Sequence, residues 1–304
     1  MSPDAKAYKT ITAEEPQRIL LQNGHERFNP NLLTGSLQLK AHLCQPVHVG
    51  SGLLEPPIMR DLQSDILLVR TLFRVGDKVC IPGTSLKGAF RSLIEMFTNS
   101  CAPGDDSDEF RGCKPGEADS TELCPACRLF GAFGFLGNVR FEDVVLPTKI
   151  RRSIFMLPPQ YNSGKGRQHG ERRYYPHDLV DEREGNWPFE VLDPGQSFEI
   201  KVSFKNISSE DLGLLLIGLG QGEWQICPKL GGGKSAGLGS VRITDLRGQL
   251  LDIHASYASF ESQYLPFVPE DHIKEAQDFL EVDVLEELAE NLGWELLREQ
   301  CDEK

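Results

Sequence analysis

No apolar run in this sequence approaches the roughly 20 residues that a membrane-spanning helix requires, so helical membrane spans leave the fold classes to be considered. The opening stretch, MSPDAKAYKTITAEEPQRIL, lacks the apolar core of a signal peptide. A cytoplasmic address is therefore expected, with the eight cysteines as thiols or metal ligands rather than disulfides. Positive charge is scarce as well. Against 45 acidic residues stand 32 Lys and Arg, a net charge of −13, which at first argues against a nucleic-acid partner. Its distribution changes that. Residues 269–304 carry a balance of −10 and residues 105–122 one of −5, leaving the remainder at +2. Residues 149–177 are clearly basic, with seven Lys or Arg, two His and one Glu. Net charge thus excludes nothing, and the basic segment favours RNA. There is no internal repeat.

What is present suffices for a sizeable core: 304 residues, 39% apolar and 25% charged. Residues 1–34 are polar and irregular, a loose arm. Leu37, Leu39, Ala41 and Leu43 then alternate as in a half-buried strand. A long connection reaches Thr84 and Ser85, good helix caps, followed by helical spacing through Leu86, Phe90, Leu93 and Phe97. NVRFEDVVL reads as a strand, and Phe198, Ile200, Val202 and Phe204 alternate as another. Ser208 or Ser209 starts a short apolar helix, SVRITDL is a last strand, and 270–300 has helical spacing. The core order is β-α-β-β-α-β, an α+β, ferredoxin-like (RRM-like) fold. Two insertions interrupt it: a cysteine-rich segment, 101–127, and a basic segment, 148–194, inside the central hairpin. The expected organisation is arm 1–34, core domain 35–268 and acidic helical segment 269–304.

Cys124 and Cys127 form a CPAC pair, with Cys101 and Cys113 upstream. No histidine lies between 90 and 168, so four thiolates are the simplest ligand set for one structural zinc. The segment is too short and acidic to bury a core, and a metal would order it. Cys44, Cys80 and Cys227 sit among apolar residues and are expected in the core, with Cys301 in the tail.

GGGKSAGLGSV, residues 231–241, contains Gly-Lys-Ser, the end of a phosphate-binding loop. A nucleotide-binding loop needs glycine six residues before its lysine and a helix after it. Pro228 stands there instead, and a strand follows. The bland alternative is a flexible glycine turn. The functional one is a backbone cradle for phosphodiesters, with Gly231, Gly232, Gly233 and Gly237 permitting close approach and Lys234 and Ser235 adding charge and a donor. Ser85, Lys87 and Arg91 lie near a helix N-terminus, which attracts anions. Arg151, Arg152, Arg172 and Arg173 are candidates to grip RNA backbone, with Phe155, Tyr174 and Tyr175 available for stacking. Solvated faces are the competing explanation for each.

HVGSG, IPGTSLKGAFRSLIE, CPACRLFGAFGFLGNVRFEDV and LGGGKSAGLGSVRI, in this order, resemble the RAMP superfamily of CRISPR-associated proteins. The likeness is strongest to backbone subunits of type III effector complexes, and ERRYYPH is similar to a segment of III-D-like members. The resemblance implies a ferredoxin-like palm on a CRISPR guide RNA among other effector subunits, polymerisation along that guide, and a hairpin thumb at the 148–194 insertion. It further implies cleavage of complementary target RNA by a loop aspartate assisted by Mg²⁺ or a similar ion. SDILLVR makes Asp65 the candidate, with Asp61 and Glu55 as competitors, because the stretch lacks the family's usual proline and is longer. Two other roles stay open: a non-catalytic scaffold, and a guide-RNA-processing nuclease. The absence of histidine between Val49 and Ser85 counts against the latter.

Overall fold

The structure, a computed structural model, describes residues 7–20, 25–57, 66–102, 107, 110–115, 122–158, 169–178, 180–181 and 184–302. The elements that frame the site are, in chain order, β1 (Leu33–Leu43), β2 (Gly50–Glu55), β3 (Val69–Leu72), α1 (Gly83–Phe97), α2 (Pro125–Phe130) and β4 (Val139–Phe141). They continue as β5 (Arg152–Leu157), β6 (Trp187–Leu192), β7 (Ser197–Ile207), α3 (Ser209–Gly218), β8 (Val241–Leu251), α4 (Val282–Leu292) and α5 (Trp294–Asp302).

Period-two alternation builds the central sheet. Inward residues of β1 face Val202, Ile200 and Phe198 of β7 on one side and Ile243 and Val241 of β8 on the other. The strand order is β4-β7-β1-β8, antiparallel throughout, with Tyr264–Leu265 as a short fifth edge. Along the chain this is β1-α1-β4-β7-α3-β8, the β-α-β-β-α-β order read from the sequence. Helices α1 and α3 share one core with the inward side chains of the sheet and with Leu285, Leu288 and Leu292 of α4. Ser208 caps α3, its hydroxyl accepting from the Asp211 amide.

Several local expectations need correction. Helix α1 starts at Gly83, not behind a Thr84 or Ser85 cap. Its first amide donates to the Asp143 carboxylate at 2.7 Å, so the cap comes from a residue 60 positions away. Gly83 is required there, because a Cβ would stand 2.1 Å from the Phe141 carbonyl oxygen. NVRFEDVVL is two strands: β4 joins the central sheet, whereas Val144–Val145 pairs with Lys78–Ile81. The arm is not loose where it is described. Lys9–Thr12 pairs with Glu171–Tyr174, and Ile19–Leu20 with Glu122–Leu123.

The connection after β1 is likewise structured. Its strands β2 and β3 join the basic insertion in a second sheet ordered β5-β6-β3-β2. Strands β5 and β6 form the hairpin of that insertion, from Arg152 opposite Leu192 to Leu157 opposite Trp187. Cys44 and Cys301 are paired as a disulfide, against the expectation of thiols only, and this ties the end of β1 to α5. No helix among the described residues is long and apolar enough to cross a membrane.

Candidate nucleic-acid interface and metal centre

Cys101, Cys113, Cys124 and Cys127 are buried, and their sulfurs lie within 4.8 Å of one another. Cys101 Sγ is 3.5 Å from Cys127 Sγ and 3.6 Å from Cys124 Sγ. A tetrahedral ion with bonds of about 2.3 Å to sulfur holds its ligands about 3.8 Å apart, so the cluster fits one metal ion such as zinc. The backbone shapes the pocket. Cys124 precedes α2, which Pro125 begins, and the Cys124 amide points at Cys113 Sγ, 3.4 Å away.

Two arginines expected at RNA surround this cluster instead. Arg91 donates to Glu95 at 2.8 Å, to the Gly131 carbonyl at 2.9 Å and towards Cys127 Sγ at 3.5 Å. Arg172 is buried and donates to the Ser100 and Cys101 carbonyls at 2.6 and 2.9 Å, with Glu95 at 3.3 Å. Four thiolates around a divalent ion leave a formal excess of two negative charges. Two guanidiniums and one carboxylate around it offset part of that excess. Both side chains thus direct hydrogen bonds into the four-cysteine segment, and Arg172 Nε is buried without a partner.

The glycine loop is packed rather than loose. Gly233 and Gly237 take positive φ on either side of a single 3₁₀ turn, Lys234–Ala236. Gly231 also has positive φ, at 82°, and a Cβ there would lie 2.1 Å from the His48 carbonyl oxygen. The Gly232 amide donates to that oxygen at 2.8 Å, while Gly232 itself stays exposed. Ala236 and Leu238 pack beneath Leu157, Phe189 and Val191, so the insertion's sheet roofs the loop. Ser235 is buried and its carbonyl accepts from the Asp181 amide.

Lys234 is half-buried, and burial lowers its pKa. Beside it lies Lys229, which the sequence reading missed. Its Nζ is buried with no hydrogen-bond partner, and burial followed by repulsion from Lys234 pushes it down to about 8. Two under-compensated ammonium groups at a glycine loop give the site a positive potential.

The second sheet joins the loop through His48 and Glu190. His48 Nδ1 lies 2.7 Å from the Glu190 carbonyl, which can only accept, so the proton sits on Nδ1. The Glu190 carboxylate is buried. It accepts from Arg74 at 2.5 and 2.7 Å, from Arg152 at 2.9 Å and from the Leu72 amide at 3.0 Å. Arg152 thus ties β5 to Glu190 of β6, whose carboxylate also accepts from β3. Arg70 lies over the rings of Trp187 and Phe189, 4.8 and 5.4 Å from their centroids. The motif SDILLVR drew attention to its aspartate, yet Arg70 is its last residue.

The remaining candidates divide. Arg151 is exposed and reaches the Pro194 and Gly195 carbonyls at 3.1 and 3.3 Å. Arg173 pairs with Glu171 at 3.0 Å and lies over Tyr8. Tyr174 is buried against Glu287 and has no face for a base, whereas Phe155 is exposed and Tyr175 half-buried. Ser85 and Lys87 are half-buried on α1, and burial plus Arg91 lowers the Lys87 pKa. Glu55 ends β2 opposite Val69. Asp61 and Asp65 lie outside the described residues.

No curated protein matches this chain. The family model of the RAMP superfamily matches residues 40–242, from β1 through the start of β8, and so takes in the cysteine cluster, the second sheet and the glycine loop. That is more than half of the sequence, and the chain belongs to the RAMP superfamily of CRISPR-associated proteins, which in general bind CRISPR RNA.

Proposed function

We propose that this protein is a guide-RNA-binding backbone subunit of a type III, III-D-like CRISPR effector complex. In this role its central sheet is a ferredoxin-like palm and the β5–β6 hairpin its thumb. The observation that carries the reading is the glycine loop. It is held against the end of β1 and roofed by the hairpin sheet, with Gly232 exposed and Lys229 and Lys234 under-compensated. Such a loop suits a sugar-phosphate backbone, since each phosphate brings negative charge and acceptor oxygens to the same place. The antiparallel order β4-β7-β1-β8 supports the palm assignment. Arg70 beside Trp187 supports a nucleic-acid role for the second sheet, because base stacking and cation–π contact use such surfaces.

In the same reading the subunit cleaves complementary target RNA. Asp65 belongs to the segment joining β2 to β3, the strands that lead into that sheet. A carboxylate there can take the proton of the attacking 2′-hydroxyl or help hold Mg²⁺, with Asp61 and Glu55 as competitors for the role. Mg²⁺ would supply charge stabilisation at the phosphate. The thumb would hold the strand in line for attack. The four-cysteine module is structural, since a closed thiolate site leaves no position open for water.

Two measurements test these roles. In an assembled complex, Asp65→Ala is expected to slow cleavage opposite this subunit by about 10²–10⁴-fold with guide binding unchanged. Undiminished cleavage at that position would make the protein a scaffold that holds the guide and its neighbours. Lys234→Ala is expected to weaken guide binding and to flatten the salt dependence by about 0.7 in the log–log slope, the value for one phosphate of a single strand. An unchanged slope would remove the phosphate contact.

A further inference from the structure

A cavity of about 850 Å³ opens between helix α1, the cysteine segment and the turn that follows α2. Pockets of that size enclose small organic ligands. It shares no residue with the glycine loop or with the second sheet. Its charge is lopsided. Lys87, Arg91, Arg111 and Lys114 line it against one carboxylate, Glu95. Glu95 is already engaged by Arg91 and Arg172, at 2.8 and 3.3 Å. Cys101, Cys113 and Cys127 line the cavity as well, and the same two arginines stand beside that cluster. Lys87 and Arg111 have no ion-pair partner among the described residues. Arg111 is exposed and Lys87 half-buried. Two cations are thus available to an anion, with the exposed Lys114 in the same cavity.

The remaining wall carries an exposed aromatic ring. Gly131–Ala132 pairs with Phe135–Leu136, so Phe133 and Gly134 form a two-residue turn. Such turns favour Gly, Asn and Asp, and Gly134 meets that demand with a φ of 81°. Phe133 does not. It belongs to no buried cluster and is 77% exposed at the edge of the cavity.

The hairpin that holds this ring is fixed on three sides. At its neck, a Cβ on Gly131 would stand 2.7 Å from the Gly137 amide nitrogen, and one on Gly137 would stand 2.3 Å from the Phe130 carbonyl carbon. Behind it, His25 stacks on Phe135 with centroids 6.2 Å apart, and its Nε2 donates to the Leu136 carbonyl at 2.7 Å. At its tip, a Cβ on Gly134 would lie 3.5 Å from the Pro115 carbonyl oxygen, so hairpin and cysteine segment converge there. Phe133 is therefore presented from a rigid element.

A cationic cavity edged by one unburied ring matches a ligand that brings anionic oxygens and a flat π face together. We propose that it binds a free nucleoside triphosphate, with the phosphates against Lys87, Arg111 and Lys114 and the base on Phe133. Side chains, not a glycine loop, meet the phosphates here. An apolar partner would leave the cations unpaired, and a simple anion would leave the Phe133 ring in water. An RNA strand would have to continue past the end where the hairpin tip meets Pro115, whereas one nucleotide can stop short of it. The proposal does not rest on the guide-RNA reading, and its test uses protein freed of RNA.

Titration of the full chain with ATP should show saturable binding of one nucleotide per chain, with a Kd below about 1 mM. Adenosine and inorganic tripolyphosphate, which each carry half of the recognised chemistry, should bind at least about tenfold more weakly. Phe133→Ala should lose about tenfold in ATP affinity, the contribution of one stacked base. Phe133→Trp should restore it and add a tryptophan signal that ATP quenches. Lys87→Gln combined with Arg111→Gln should lose about tenfold or more. Zinc content equal to that of the wild type shows that each variant keeps its cysteine module folded. Lys234→Ala, in the glycine loop, should bind ATP as the wild type does, which separates this site from the guide site. No saturable ATP binding, equal affinity for tripolyphosphate, or Phe133 and Lys87–Arg111 variants that bind as the wild type would each overturn the proposal. So would a single-stranded RNA that displaces ATP and itself binds more weakly to Phe133→Ala, since the cavity would then belong to the RNA path.

Discussion

Protein prepared without chelators is expected to carry about one zinc per chain, and Cys124→Ser is expected to lose both the metal and the ordered module around it. The cysteines are the core of this module: Cys101, Cys113, Cys124 and Cys127 cluster with only Leu123 and Ala126 fully buried beside them. Little apolar area is therefore available to hold it without the ion. Metal binding in comparable small sites contributes about 10–16 kcal/mol, as large as the whole stability of an ordinary domain. The damage should spread, because the buried Arg128–Asp211 pair at 2.7 Å ties α2 to α3. Elemental analysis gives the first readout and proteolysis between residues 101 and 127 the second. Cys301→Ser, which touches a different cluster, should keep the metal. Less than about half an equivalent of zinc in wild-type protein would overturn the assignment.

Glu190→Ala should lower stability by about 3–5 kcal/mol, the usual cost of leaving buried charge uncompensated. One carboxylate satisfies Arg74, Arg152 and the Leu72 amide, and so joins β6, β5 and β3. Removing it leaves two guanidiniums facing each other in a partly buried space. Glu190→Gln keeps the shape and two hydrogen-bonding atoms, and should lose less. A shift of the urea midpoint at constant slope measures the effect. A loss below about 1 kcal/mol would mean that water already screens these charges as at an exposed pair. The glycine loop gives a second readout, since the hairpin roofs it. Guide binding should weaken in Glu190→Ala even though Glu190 meets no RNA in the proposed role.

Local order was legible and long-range closure was not. Alternation in β1 and β7 and the Ser208 cap needed only neighbouring residues, and all three are present. The cysteines were legible for a different reason, since a CPAC pair with two more thiols in 27 residues and no histidine nearby has the composition of a four-thiolate site. By contrast, α1 takes its cap from Asp143, and no rule for local caps looks 60 residues ahead. Strands β2 and β3 read as a connection because their partner in the second sheet is the distant hairpin. The basic insertion misled in a related way. Sequence counts cations but does not show which are already paired, so Arg152 and Arg172 looked as available as Arg151. Lys229 carries no motif, and only its burial beside Lys234 singles it out.

The Cys44–Cys301 bond joins residues 257 positions apart. On a ribosome adding about 5–20 residues each second, Cys44 waits about 10–50 s for its partner to be made. Through most of that interval β1 has neither its covalent tie nor β8, which ends at Leu251. A chain that stops short of α5 can never form the bond. The disulfide therefore marks molecules whose synthesis ran to this helix, and truncated products remain distinguishable from them by a free thiol at Cys44.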